Sequence, residues 1–180
     1  MRHFMQISFA MTVTAWLLGA SVAWAAGGAH VHGVAKLDIA VDSKTLTIQL
    51  ESPLDNFVGF EHAPRTDAKR KLTDAAIAKL RAAASMFKIN PAAQCRLRNV
   101  ELSSAALKLG KPDPQEEKEG HSDIDGSFEF VCVDAAKATY VDVALFEFSH
   151  LQRIEAQVAT ANGQFKRDLK RPISRIVLTR

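Results

Sequence analysis

His30 and His32 flank a single valine in "AHVHGVAKLDIAV" (29–41), and an unbroken apolar alternation follows them. Along an extended strand, residues i and i+2 share a face about 6 to 7 Å apart, so two imidazoles at this spacing can reach one ion. The same pair can equally be the solvated end of a strand. Three more histidines follow: His62 in "GFEHAPRTD" beside Glu61, His121 in "HSDIDG" close to Asp123 and Asp125, and His150 in "EFSHLQR". All five fall at expected element ends or in loops, where a scaffold presents ligands and where ordinary polar residues also go. His150 reads as a capping or surface residue rather than as a ligand.

Imidazole with carboxylate suits zinc, and also nickel or copper(II). Met86 is the one methionine after the first 25 residues, which excludes a thioether site of the copper(I)-carrier kind. "DIDG" is too short for an EF-hand calcium loop. Catalytic signatures are missing: there is no HExxH, no GxSxG and no phosphate-cradling glycine loop. Ser52, Ser122 and Ser149 have no triad-like context. The residues therefore favour binding without catalysis, with a hydrolase built from scattered His and Asp as the enzymatic alternative.

The elements that must position these residues read mainly as strands. Val31, Ala35, Leu37, Ile39 and Val41 alternate with His30, His32, Lys36 and Asp38, which predicts a strand with one buried face. "VDSKT" is a turn, and "TLTIQLE" completes an antiparallel hairpin. A connection, "LDNFVGFEHAPRTD", leads to a helix expected from Thr66 or Asp67 to Phe87, with Leu72, Ala76, Leu80, Ala83 and Phe87 on its apolar face. Further strands are expected at Leu97–Leu102, "GSFEFVCVD", "ATYVDVALFEF", around the Asn162-Gly163 turn and at "SRIVLTR". The expected fold is α+β: an antiparallel sheet of six or seven strands, with one long amphipathic helix packed on one face.

The first 25 residues have the pattern of a signal peptide. Arg2 precedes an apolar stretch, and "AWA" at Ala23–Ala25 puts small residues where a signal peptidase cuts. An uncleaved anchor is the alternative, but the apolar stretch is short for a membrane span. Residues 26–180 are expected to form a single exported domain, with no membrane insertion after cleavage and a mobile charged loop at about 110–120. Loss of Arg2 lowers the net charge from +3 to +2. That excess is spread along the chain, which argues against a nucleic-acid partner. Cys95 and Cys132 form an even pair without CxxC spacing. In an oxidising compartment they read as one disulfide, against the alternative of two thiolate metal ligands.

Three stretches, "HVHGVAKLDIAVD", "ESPLDNFVGFEHAPRTDAKR" and "HSDIDGSFEFVC", resemble the successive motifs of the ZrgA-like zinc uptake proteins, a bacterial periplasmic family. The resemblance runs from about Ala29 to the C-terminus. It implies a periplasmic zinc-binding protein that supports zinc acquisition, holding zinc and assisting an ABC-type importer or its solute-binding component. His30, His32, Glu61, His62, His121 and Asp123 match the family's motif positions. Members often carry a histidine-rich tract before the "HSD" motif, whereas here the loop reads "KPDPQEEKEG". The expectation is that His30 and His32 converge with His62 and His121 on one zinc, with Glu61 as ligand or as the acceptor fixing an imidazole tautomer. A metal-free structural or interaction module of the envelope is the alternative. Thiol titration of the unfolded, non-reduced protein should find no reactive thiol, and two free thiols would overturn the disulfide.

Overall fold

Alternation along "VAKLDIAV" and "TLTIQLESP" produces β1 (Val34–Val41) and β2 (Thr45–Pro53) in the computed structural model, paired antiparallel. The structure describes residues 31–112 and 122–180. The signal-like segment, His30, His121 and most of the charged loop lie outside the described residues. After β2 come α1 (Asp55–Val58), α2 (Asp67–Arg81), α3 (Ala83–Met86) and β3 (Phe87–Ile89). The rest of the chain supplies β4 (Cys95–Ser103), β5 (Asp123–Cys132), β6 (Tyr140–Val143), β7 (Arg153–Thr160), β8 (Gly163–Lys170) and β9 (Arg175–Val177).

Two sheets form where one was expected. The larger has the order β4-β5-β2-β1-β7-β8, and the smaller β3-β6-β9. In the larger sheet one face is apolar across the strands. Ala35, Leu37 and Ile39 sit opposite Ile154, Ala156 and Val158, and Leu46 and Ile48 sit opposite Phe130 and Phe128. All ten are buried in one cluster. The other face carries cross-strand polar pairs such as Lys36–Glu51, 2.7 Å apart. Burying one face accounts for the period of two.

Four further expectations need correction. β1 starts at Val34, because Gly33 adopts φ +79° and breaks the extended chain before His32 can join it. β1 and β7 run parallel, an exception in an otherwise antiparallel sheet. Their starts are tied together where the Gly33 carbonyl accepts from the Gln152 and Arg153 amides at 2.8 and 2.9 Å. α2 stops at Arg81, and Phe87 enters a strand, paired with Val143 and packed on Phe128 with ring centroids 4.8 Å apart. Leu72 is exposed while Thr73 takes the buried stripe with Ala76 and Leu80. The Thr73 hydroxyl can be buried there because it donates to the Lys69 carbonyl at 2.9 Å.

Cys95 and Cys132 lie opposite each other in the β4–β5 register, joined as a disulfide. The Asn162-Gly163 signal produces the β7–β8 hairpin, with Thr160 opposite Gly163. Among the described residues no helix is long and apolar enough to cross a membrane.

The small sheet carries an exposed cross-strand ion pair. Arg175 donates to both Asp142 oxygens at 2.6 and 2.7 Å, and its guanidinium lies 3.8 Å from the Tyr140 ring centre. Those hydrogen bonds, opposed by burial and reinforced by the charges of Arg175 and Lys88, hold the Asp142 carboxyl below its ordinary value. A carboxyl with a lowered folded-state pKa stabilises the fold above its unfolded value of about 3.9, and that contribution vanishes as pH falls through the folded-state value. Asp142→Asn should therefore flatten the acid limb of the stability–pH curve and leave the curve's shape near neutrality unchanged, as read by urea denaturation across pH.

Candidate metal centre

The site is assembled around a buried amide. Asn56, fully buried in α1, accepts from the Gly33 amide at 2.7 Å and donates to the Val34 carbonyl at 2.8 Å and the Ser52 hydroxyl at 2.9 Å. One side chain thus joins the turn before β1 to the end of β2. Its oxygen and nitrogen cannot exchange places, because one partner is a donor and another a carbonyl acceptor. The turn itself closes when the Val34 amide donates to the Val31 carbonyl at 3.1 Å.

That arrangement brings His32 against two carboxylates. Its Nδ1 lies 3.3 Å from Asp55 Oδ2 and its Nε2 lies 3.1 Å from Glu61 Oε1. The imidazole side chain is 63 % exposed, Glu61 40 % and Asp55 21 %. Such open ion pairs contribute little to folding, so the geometry is a consequence of the scaffold rather than its support. Glu61 is held through its backbone: its carbonyl accepts from the Ser122 hydroxyl at 2.6 Å, while the Ser122 carbonyl accepts from the Leu54 amide at 2.8 Å. The chain entering β5 therefore abuts the 54–61 connection.

The remaining candidates sit differently. His62 stacks on Phe60 with ring centroids 5.1 Å apart. Its Nδ1 lies 2.8 Å from the Ala63 carbonyl and its Nε2 lies 3.0 Å from Lys69 Nζ. If Nδ1 carries the proton, the Nε2 lone pair faces an ammonium that a metal would have to displace. Asp123 opens β5 opposite Pro53 and is buried. His150 is exposed, but its ring lies over Gly59, where an added Cβ would come within 3.0 Å of Nε2. Gly59 also has φ +75°, so glycine meets both demands.

Among the described residues, no three His, Cys, Asp or Glu side chains are grouped to hold one metal ion. The reason is visible at His32: the two carboxylates approach opposite ring nitrogens and cannot share an ion through it. Sequence reasoning missed Asp55, whose only signal was an acid beside an amide in the otherwise apolar "PLDNFVGF".

The description "ZrgA family zinc uptake protein" fits residues 29–178, a match over most of the chain. The chain belongs to this family. A search of curated proteins finds no significant match.

The buried amide provides a direct test of how the site is built. Asn56→Ala would leave the Gly33 amide, the Val34 carbonyl and the Ser52 hydroxyl without their shared partner. It should cost about 2 to 4 kcal/mol of stability in chemical denaturation. A loss under about 0.5 kcal/mol would show that the amide is not what holds the turn.

Proposed function

We propose that this chain is an exported, periplasmic zinc-binding protein that supports zinc acquisition and performs no catalysis. Membership of a zinc uptake family supports the reading, and one geometric observation carries it. His32 Nε2 and Glu61 Oε1 stand 3.1 Å apart on an exposed edge. Two donors on a tetrahedral zinc with bonds near 2.0 to 2.2 Å are separated by roughly 3.4 Å. A shift of a few tenths of an ångström would therefore let zinc lie between them in place of their direct contact. In this reading zinc is cargo.

His32 and Glu61 form the core of the proposed site. His62 and Asp123 are further ligand candidates, His62 after releasing Lys69. His30 and His121, outside the described residues, complete the set. Their chain neighbours Val31 and Ser122 belong to the His32 turn and to the contact with Glu61. An exposed site with few fixed ligands suits a protein that passes its ion on. The proposed recipient is a zinc ABC importer or its solute-binding component. The metal-free envelope module stays the competing reading, because His32 and His62 already have partners without metal.

Calorimetry on tag-free protein with zinc, copper(II) and nickel at one neutral pH separates the two. Zinc should bind at one site, and His32→Ala or Glu61→Ala should weaken it about tenfold or more without changing the melting temperature. Absence of zinc binding in the wild-type protein would leave the metal-free module as the better reading.

A further inference from the structure

We propose that the outer face of the larger sheet binds a short zwitterionic peptide, with the peptide ammonium on Asp38 and its carboxylate on Lys166. The site is independent of the zinc reading, since none of its lining residues belongs to the turn before β1.

The sheet face turned away from the core carries an open cavity of about 650 Å³ across β2, β1, β7 and β8. Strand register explains its shape. One row across the four strands runs Thr47, Ala40, Ala159, Gln164, and the next runs Gln49, Asp38, Gln157, Lys166. Ala40 and Ala159 are neighbours in the middle of the first row. Two methyl groups side by side leave a depression there, and the longer side chains stand around it.

The charges of this face are distributed unevenly. Beside the cavity they are neutralised in place: Lys36 pairs with Glu51 at 2.7 Å, and Arg153 pairs with Glu155. Asp38 and Lys166 break that pattern. They are the one acid and the one base lining the cavity, both are exposed, and Gln157 stands between them in register. Among the described residues the side chains of all three have no hydrogen bond or ion pair. Two strand spacings put the Asp38 and Lys166 Cα atoms roughly 9 to 10 Å apart.

A ligand that matches this row presents a cation, an amide and an anion in a line. A tripeptide has that order. Extended chain advances about 3.3 to 3.6 Å per residue, so its ammonium and carboxylate fall roughly 8 to 10 Å apart. Its central peptide groups would lie over Gln157, whose side chain both donates and accepts, and the Ala40–Ala159 depression leaves room for its side chains. A neutral sugar would satisfy the amides and leave both charges unmatched. An anionic ligand would be opposed by Asp38, and a cationic one by Lys166.

Titration of nitrogen-labelled protein with zwitterionic trialanine, followed by NMR, tests the site. Saturable shifts are expected at the Gln157 and Gln164 side-chain amides, with a Kd on the order of 0.1 to 1 mM for so small a ligand on an open face. Acetylating the peptide removes its ammonium, and amidating it removes its carboxylate. Each cap should weaken binding about two- to fivefold, the scale of one exposed ion pair. In Asp38→Asn the acetyl cap should cost nothing further, and in Lys166→Gln the amide cap should cost nothing further. Both positions are exposed, so the melting temperature should not change. Trialanine that shifts no resonance of the cavity, or that binds equally well with both caps, would overturn the proposal. Caps that cost as much in the two variants as in the wild type would overturn the assigned orientation. Binding of uncharged maltotriose without binding of trialanine would overturn it as well, and would assign the face to sugars.

Discussion

A single buried amide carries the constraint on which the proposed site depends. Asn56 is fully buried and makes hydrogen bonds to Gly33, Val34 and Ser52. Buried polar groups are tolerated only when paired, and leaving one unpaired costs a large part of a small domain's net stability. The amide can meet all three partners in one arrangement: the pre-β1 turn folded back over the exit of β2. Everything exposed at that edge inherits its position from this buried contact. His32 precedes Gly33, and Asp55 precedes Asn56. The two side chains that meet in solvent are therefore placed by two neighbours that meet in the core.

This division of labour has a functional consequence. A site held by its own exposed ion pairs would change shape whenever a partner or ion competed for them. Here the ion pairs are open to water and worth little to the fold, while the scaffold beneath is apolar and continuous. Leu54, Phe57 and Val58 belong to the same buried cluster as Leu37 and Ile48, and Phe57 meets Phe148 edge-on with centroids 4.8 Å apart. His32, Asp55 and Glu61 can exchange partners without disturbing that packing. Under the proposed zinc reading, binding energy would then not be diverted into refolding.

The far edge of the sheet is secured by different means. The Cys95–Cys132 disulfide joins the start of β4 to the end of β5, and β5 begins at Asp123, next to the Ser122 contact with Glu61. One strand therefore runs from the covalent staple to the proposed site. At the other side, Arg171 donates to the Phe148 and Leu151 carbonyls at 2.8 and 3.1 Å. That bracing fixes the turn that feeds β7 into its parallel pairing with β1.

Much of this was legible in the sequence. Period-two alternation specified β1 and β2, because a sheet with one wet face imposes that period directly, and the Asn162-Gly163 turn specified the β7–β8 hairpin. The even, separated cysteine pair behind a signal-like segment pointed to the disulfide. The HxH spacing and Glu61 drew attention to the turn before β1, where the structure brings His32 and Glu61 within 3.1 Å. Three things were decided only by the tertiary structure. A left-handed glycine at position 33 takes His32 out of the strand, and no local pattern distinguishes that glycine from one within a strand. Helical periodicity continues through Phe87, yet β6 and Phe128 claim that residue for a strand, since pairing and aromatic packing outweigh a weak local propensity. Asp55 looked like an ordinary loop acid; its place beside His32 depends on Asn56 reaching residues more than twenty positions away, a contact that no spacing along the chain encodes.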